Sequence, residues 1–266
     1  MNNNINKDLE KRKDEVYVLS YGGGVNSSAL YFYVVYEKKL PLNLVIFADT
    51  GEESPETMKS VELMKLQCKK DNIKFETVSS PYGRLVDYYY NKKAIPSMMK
   101  RDCTSKFKIS PIRKRYKELF DRKTIQIIQY IGIASDEAQR VTSSDVKYIT
   151  YSYPFVNDKI TRKGNMEILE KYNFQASKSG CMGCMFQTKD KWRKFIKEHR
   201  KEFERWKAME ENNMHYNRKY KPLYLNGNYS LKQIENFEKY QKTLDNWTKL
   251  NDDDLNCNNL HGGCFL

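Results

Sequence analysis

Apolar residues in the first half of the chain fall in short runs separated by polar turns, and the runs alternate between two periods. Residues 16–19 (Val-Tyr-Val-Leu), 42–48 (Leu-Asn-Leu-Val-Ile-Phe-Ala) and 125–133 are nearly continuous β-favouring stretches and read as buried strands. Residues 74–78 alternate apolar and polar, as a half-buried strand does. Helical spacing fills the intervals: residues 29–35, 54–71 and 111–120. The second of these opens on Ser54 as N-cap with Pro55 at the first helical position. Strand and helix in strict alternation predict an α/β fold, a Rossmann-like doubly wound, mostly parallel sheet with right-handed crossovers. Beyond a short extended segment ended by Tyr153-Pro154-Phe155, the pattern is helical. Helices are expected over 161–172, over 192–211 with Phe195, Phe203 and Trp206 buried, and over 230–246 with Leu231, Ile234, Phe237 and Tyr240 inward. The expected division is an α/β domain over 14–150 and a helical, cysteine-containing C-terminal region over 151–266. Residues 80–97 show no clear period, and the tyrosines at 88, 89 and 90 read as packing rather than base stacking.

The turn after the first strand is Ser20-Tyr21-Gly22-Gly23-Gly24-Val25-Asn26-Ser27-Ser28. Glycines let the backbone approach an anion, the serines and Asn26 add donors, and the N-terminal N–H groups of the next helix point outward with its dipole behind them. This is a phosphate cradle. No Gly-Lys-Ser/Thr follows, and the dinucleotide spacing fails at Ser27. Asp49-Thr50-Gly51-Glu52-Glu53 follows the second strand and should face this loop across the carboxyl edge of the sheet. A third polar cluster, 134–140, follows the fourth strand; its Arg140 is either a phosphate or sulfate clamp or a surface ion pair with Glu137.

The 266 residues carry a formal charge of +13, which suits an anionic partner: a nucleotide, with tRNA or DNA open as a further one. A chain rich in Lys, Asn, Ile and Tyr also acquires surface lysines with no partner to match. No apolar run reaches the ~18 residues of a membrane span, so no membrane partner is expected. The polar N-terminus lacks a signal-peptide stretch, and a cytoplasmic location follows as the expectation. Six cysteines in such a compartment argue for metal or catalysis over disulfides. Cys181 and Cys184 have the C-x-x-C spacing that lets two thiolates share one metal or cluster. A thioredoxin-like redox pair is the rival, weakened by its late place in the chain. Cys103 lies in a basic stretch that includes Lys108; basic neighbours lower a thiol pKa and bind sulfate or phosphate. Cys257 and Cys264 lie near the C-terminus, and Cys68, on an amphipathic helix, reads as an ordinary buried thiol.

The glycine loop resembles the PP-loop of the ATP-pyrophosphatase (adenine nucleotide alpha hydrolase-like) superfamily, usually Ser-Gly-Gly-x-Asp-Ser. Within it the chain is most similar to the phosphoadenosine-phosphosulfate (PAPS) reductase family, where glycines precede paired serines as at Ser27-Ser28. Asn26 departs from the usual Asp. Asp49-Thr50-Gly51 and Pro55-Glu56-Thr57 match a second family motif, with Ser54 in place of Phe. The related adenylyl-sulfate (APS) reductases bind a 4Fe–4S cluster through a tandem cysteine motif and a later C-x-x-C. Cys103, Cys181 and Cys184 fall on that pattern, with Thr104 replacing the second tandem cysteine and Phe107 an arginine. From about Val16 to the end, apart from 212–254, the chain looks like a poorly characterised branch common in bacterial and phage genomes, whose members end in two cysteines, resembled here by Cys257 and Cys264.

The resemblance implies adenine-nucleotide contacts from Ser20, Gly22, Gly23, Gly24, Asn26, Ser27, Ser28, Asp49, Thr50 and Gly51. It implies metal ligation by Cys103, Cys181, Cys184 and Cys264, and catalytic roles for Cys257, Lys108 and Arg140. Two readings follow. In the first, the chain is a sulfur-transfer or reductase enzyme using ATP, APS or PAPS, with a 4Fe–4S cluster. If ATP is the substrate, Mg²⁺ joins it, the acceptor can be tRNA or DNA, and a cysteine desulfurase or thiol reductant supplies the other half-reaction. In the second, it is a non-catalytic nucleotide sensor or nucleic-acid-binding regulator with structural zinc, for which Asn26 is the best support.

Overall fold

The computed structural model describes residues 14–97, 101–217, 219 and 223–239; Cys257, Cys264 and the expected last helical turns after 239 lie outside the described residues. Five parallel strands form the sheet in the order β3-β2-β1-β4-β5: β1 (Asp14–Tyr21), β2 (Leu44–Asp49), β3 (Lys74–Ser79), β4 (Ile125–Ile131) and β5 (Ile149–Ser152). Central β1 pairs with β2 on one side and β4 on the other, Leu19 lying opposite both Val45 and Tyr130. Between β1 and β4 the winding reverses, which opens a crevice at the carboxyl ends of the strands.

Because side chains alternate across a strand, β1 and β2 supply two layers. Leu19, Val45 and Phe47 pack under α1 (Val25–Phe32) and α2 (Pro55–Lys70) with Leu30, Val61, Met64 and Cys68. Val18, Leu44 and Ile46 face the other way, against Ile112 and Tyr116 of α5 (Ser110–Leu119). Ser54 caps α2 by accepting from the Thr57 N–H at 3.2 Å. The first helix begins at Val25 and ends in a wider π-turn over Tyr33–Glu37.

A third apolar cluster joins the helical region to the sheet's carboxyl edge. Trp192, Phe195, Phe203, Trp206, Leu231 and Ile234 meet Leu85, Val86, Tyr89 and Phe107 from the first half. The stretch after β3 that shows no clear period contains α3 (Leu85–Asn91), and Tyr89 is its buried tyrosine. Helices α4 (Asp102–Thr104), α6 (Pro154–Asn157) and α7 (Arg162–Lys171) complete the α/β half.

One expectation is corrected. The helix expected over 192–211 is two, α8 (Lys189–Glu198) and α9 (Arg200–Tyr216), broken at His199 (φ −128, ψ 50). Along an unbroken helix, residues eight apart stand about 12 Å apart on the axis. The break instead brings the rings of Phe195 and Phe203 edge to face, 5.6 Å between centroids, with both buried. A last helix, α10 (Leu231–Lys239), buries Leu231 and Ile234 as expected.

Candidate nucleotide and cysteine site

The glycine loop leaves β1 in a tight turn. Gly23 has φ +70, and a Cβ there would stand 2.7 Å from Thr57 Cγ2, so α2 lies directly against it. Ser27 closes the turn: its Oγ donates to the Gly24 carbonyl and accepts from the Gly22 N–H, each at 3.2 Å. Ser28 turns the other way. It is buried in the core with its hydroxyl 3.0 Å from that of Tyr21, so of the paired serines only Ser27 belongs to the loop. Ser20 is likewise buried within β1.

The loop is tied to the segment after β4. Gly132 permits this approach, because a Cβ there would come within 2.9 Å of the Asn26 carbonyl carbon and the Ser27 nitrogen. Asn26 donates to Glu137 Oε2 at 2.9 Å and accepts from Asn165 Nδ2 at 3.0 Å. Glu137 in turn pairs with Arg140, whose side chain is only 11% exposed. The ion pair between Arg140 and Glu137 is therefore present, but inside the crevice rather than on the surface.

On the other side of β1, Asp49 turns the chain by accepting the Gly51 N–H at 2.7 Å. Thr50 is buried; its hydroxyl donates to Glu53 Oε1 at 3.0 Å and stands 3.5 Å from Cys181 Sγ. Lys108 reaches the same Glu53 oxygen at 3.7 Å. Glu53 bridges to Cys181 through the backbone, and the Met182 N–H donates to the Glu52 carbonyl at 2.8 Å. The Glu52 carboxylate has no exposed surface and accepts from Arg84 Nε (3.0 Å) and from the Trp206 indole (3.1 Å), with Arg205 at 3.6 Å. Burial pushes its pKa up, against the pull of the two arginines. Trp206 also covers the C-x-x-C turn: a Cβ on Gly183 would lie 2.2 Å from its ring.

Cys103, Cys181 and Cys184 all pack against the third apolar cluster. Burial pushes the Cys181 thiol up, the Glu53 charge adds to this, and Lys108 opposes both. Cys68 is elsewhere, on the buried face of α2, with its thiol pushed up to about 12 by burial, as expected of a packing residue. Among the described residues no three His, Cys, Asp or Glu side chains stand together in a way that could hold a metal ion. The three cysteines thus share a neighbourhood without forming a closed site.

Both halves of this geometry, the glycine turn after β1 and the Asp-Thr-Gly turn after β2, lie within residues 16–143, and that span matches one protein family. The matching model is that of the phosphoadenosine phosphosulfate reductase domain, over residues 16–143. A search of curated proteins finds no match. Among solved structures, the chain is similar to the U34-tRNA thiolase NcsA from Methanococcus maripaludis with its [4Fe–4S] cluster, at 16% identity and a TM-score of 0.46. That likeness covers 80% of this chain and 74% of the other.

Within this matched span the nucleotide-motif residues Gly22, Gly23, Gly24, Asn26, Ser27, Asp49, Thr50 and Gly51 lie where the neighbouring strands β1 and β2 end, at one edge of the sheet. Cys103, Cys181 and Lys108 join Thr50 and Glu53 there, and Arg140 lies on the β4 side with Asn26 and Glu137. Glu52, Glu53, Asn165, Ser179 and Trp206 complete the setting. Sequence reasoning found the loop of Glu52 and Glu53 and the buried face of Trp206, but not that they meet. Among the described residues no helix is long and apolar enough to cross a membrane.

Proposed function

We propose that the chain is an enzyme that holds an adenine nucleotide on the loop of Gly22, Gly23 and Gly24 and performs sulfur transfer or reduction beside it, at Cys103, Cys181 and Cys184. The observation that carries this reading is the 3.5 Å approach of Thr50 Oγ1 to Cys181 Sγ. Thr50 of the nucleotide motif touches Cys181, the first cysteine of the C-x-x-C pair, which supports a reading in which phosphate and thiol chemistry share one crevice.

The donor set suits a soft-metal group. Three thiols line one apolar wall, and an all-thiolate donor set fits a 4Fe–4S cluster, with zinc as the alternative. Cys103, Cys181 and Cys184 would hold it, with Cys264 as fourth ligand and Cys257 as nucleophile. When bound, such a cluster supplies electron transfer or a site for carried sulfur. The chain's own residues do the rest. Loop N–H groups bind the phosphates in the turn that Ser27 closes, and Arg140 and Lys108 supply positive charge where negative charge develops. Asn26 fixes the loop against the β4 segment.

The charge of +13 favours the version in which ATP, with Mg²⁺, activates an oxygen of tRNA or DNA and sulfur displaces AMP; a cysteine desulfurase or thiol reductant then feeds the site. Reduction of APS or PAPS is the other version. The test incubates anaerobically reconstituted protein with APS, with PAPS, and with ATP plus tRNA or DNA and a sulfide source. AMP and pyrophosphate that depend on nucleic acid support thiolation, and sulfite supports reduction. Failure to turn over any of the three contradicts the enzyme reading and leaves the zinc-bearing regulator.

A further inference from the structure

The segment 175–181 runs as an irregular strap from the end of α7 to the C-x-x-C turn, across the mouth of the glycine loop. It is pinned along its length. Ser60 donates to the Gln175 carbonyl at 3.4 Å, Lys191 Nζ to the Lys178 carbonyl at 3.2 Å, and Cys181 bridges to Glu53. Ser179, at its middle, lies on the loop. A Cβ on Gly24 would stand 2.5 Å from Ser179 Oγ, 3.0 Å from its Cβ and 3.1 Å from its nitrogen. The Cβ position of Gly22 is 3.8 Å from the same hydroxyl and 3.9 Å from that of Ser27. Two hydroxyls thus flank Gly22, one from the loop and one from the strap. That of Ser27 is spent on closing the turn. That of Ser179 makes no hydrogen bond within the described residues. Two lysines of the strap's surroundings, Lys178 and Lys191, add positive charge; burial and the charge of Lys178 lower the pKa of Lys191.

We infer that Ser179 is a phosphate ligand of the nucleotide site, so that the site is built from both the glycine loop and the strap. The inference rests on the nucleotide reading of the loop. An O–H held against glycines whose role is close backbone approach to an anion is placed to donate to a phosphoryl oxygen, a charge-assisted bond. Since Ser179 is two residues from Cys181, the phosphate end of the nucleotide faces the cysteines and its base points away from them.

The experiment measures ATP and adenosine affinity by calorimetry for the full-length chain, Ser179→Ala, Ser27→Ala and the pair Gly24→Ala and Gly24→Ala/Ser179→Gly. Ser179→Ala is expected to weaken ATP about tenfold while leaving adenosine affinity and the thermal midpoint unchanged. Gly24→Ala should lower the midpoint by its clash with Ser179. Adding Ser179→Gly should restore the midpoint but not ATP affinity, which separates packing from ligation. Wild-type ATP affinity in Ser179→Ala, alongside weakened binding in Ser27→Ala, overturns the inference and leaves the loop intact as the site. No ATP binding by the unaltered chain overturns both.

Discussion

Asn26 donates its side-chain amide to the Glu137 carboxylate at 2.9 Å while accepting from Asn165. An aspartate, usual for PP-loops at this position, would keep the Asn165 bond but set one carboxylate against another. The departure from the family pattern is therefore compensated within the chain. Asn26→Asp is expected to cost about 1–3 kcal/mol in urea unfolding, and Asn26→Asp/Glu137→Gln to recover most of it. Equal stability of the single variant and the natural chain would show that the contact does not hold the loop.

The Glu52 carboxylate takes donors from Arg84 and Trp206 and lies near Arg205, with no solvent to replace it. Glu52→Ala leaves the buried indole N–H of Trp206 without its acceptor and takes a charged partner from Arg84 and Arg205, which keep access to water, so about 2–3 kcal/mol is expected. Trp206→Phe keeps the ring over Gly183 and loses only the N–H, so about 1–2 kcal/mol is expected. Chemical denaturation of both, read by circular dichroism, checks the order of the two values.

Glu210 is buried and accepts the backbone N–H of Leu225 at 2.8 Å and of Leu231 at 2.5 Å, which fastens residues 223–239 to α9. Burial pushes its pKa from 4.5 up to about 7, against the pull of the two N–H groups. The folded state then holds this proton more tightly than the unfolded chain. The group's stabilising contribution is complete below pH 4.5 and is lost as pH rises through about 7. The thermal midpoint should fall across that window, and fall less in Glu210→Gln. An equal slope in both proteins would assign the effect to other groups.

The sheet was legible because its runs are local. β1, β2 and β4 are nearly continuous apolar stretches, and Ser54-Pro55 marks the start of α2 within two residues. Helix α3 was missed although Leu85, Val86 and Tyr89 have helical spacing, because the exposed Tyr90 and the half-buried Tyr88 blur its apolar face. The break at His199 carries no proline or glycine to announce it; tertiary packing of Phe195 on Phe203 decides it. The motif residues of the site could be read one turn at a time. Their assembly could not: Glu52 and Trp206 are 154 positions apart, and nothing local in either predicts the bond. Ser28 looked like a twin of Ser27, but a helix turns successive residues by about 100°, so one faces the loop and the next the core.

The most direct test of the account is metal and sulfide analysis, with the absorbance spectrum, of anaerobically purified protein beside Cys181→Ser and Cys184→Ser. The account predicts about four irons per chain and a broad band near ~400 nm in the natural protein, both lost in either variant. A colourless protein, or iron content unchanged by the two substitutions, would contradict it.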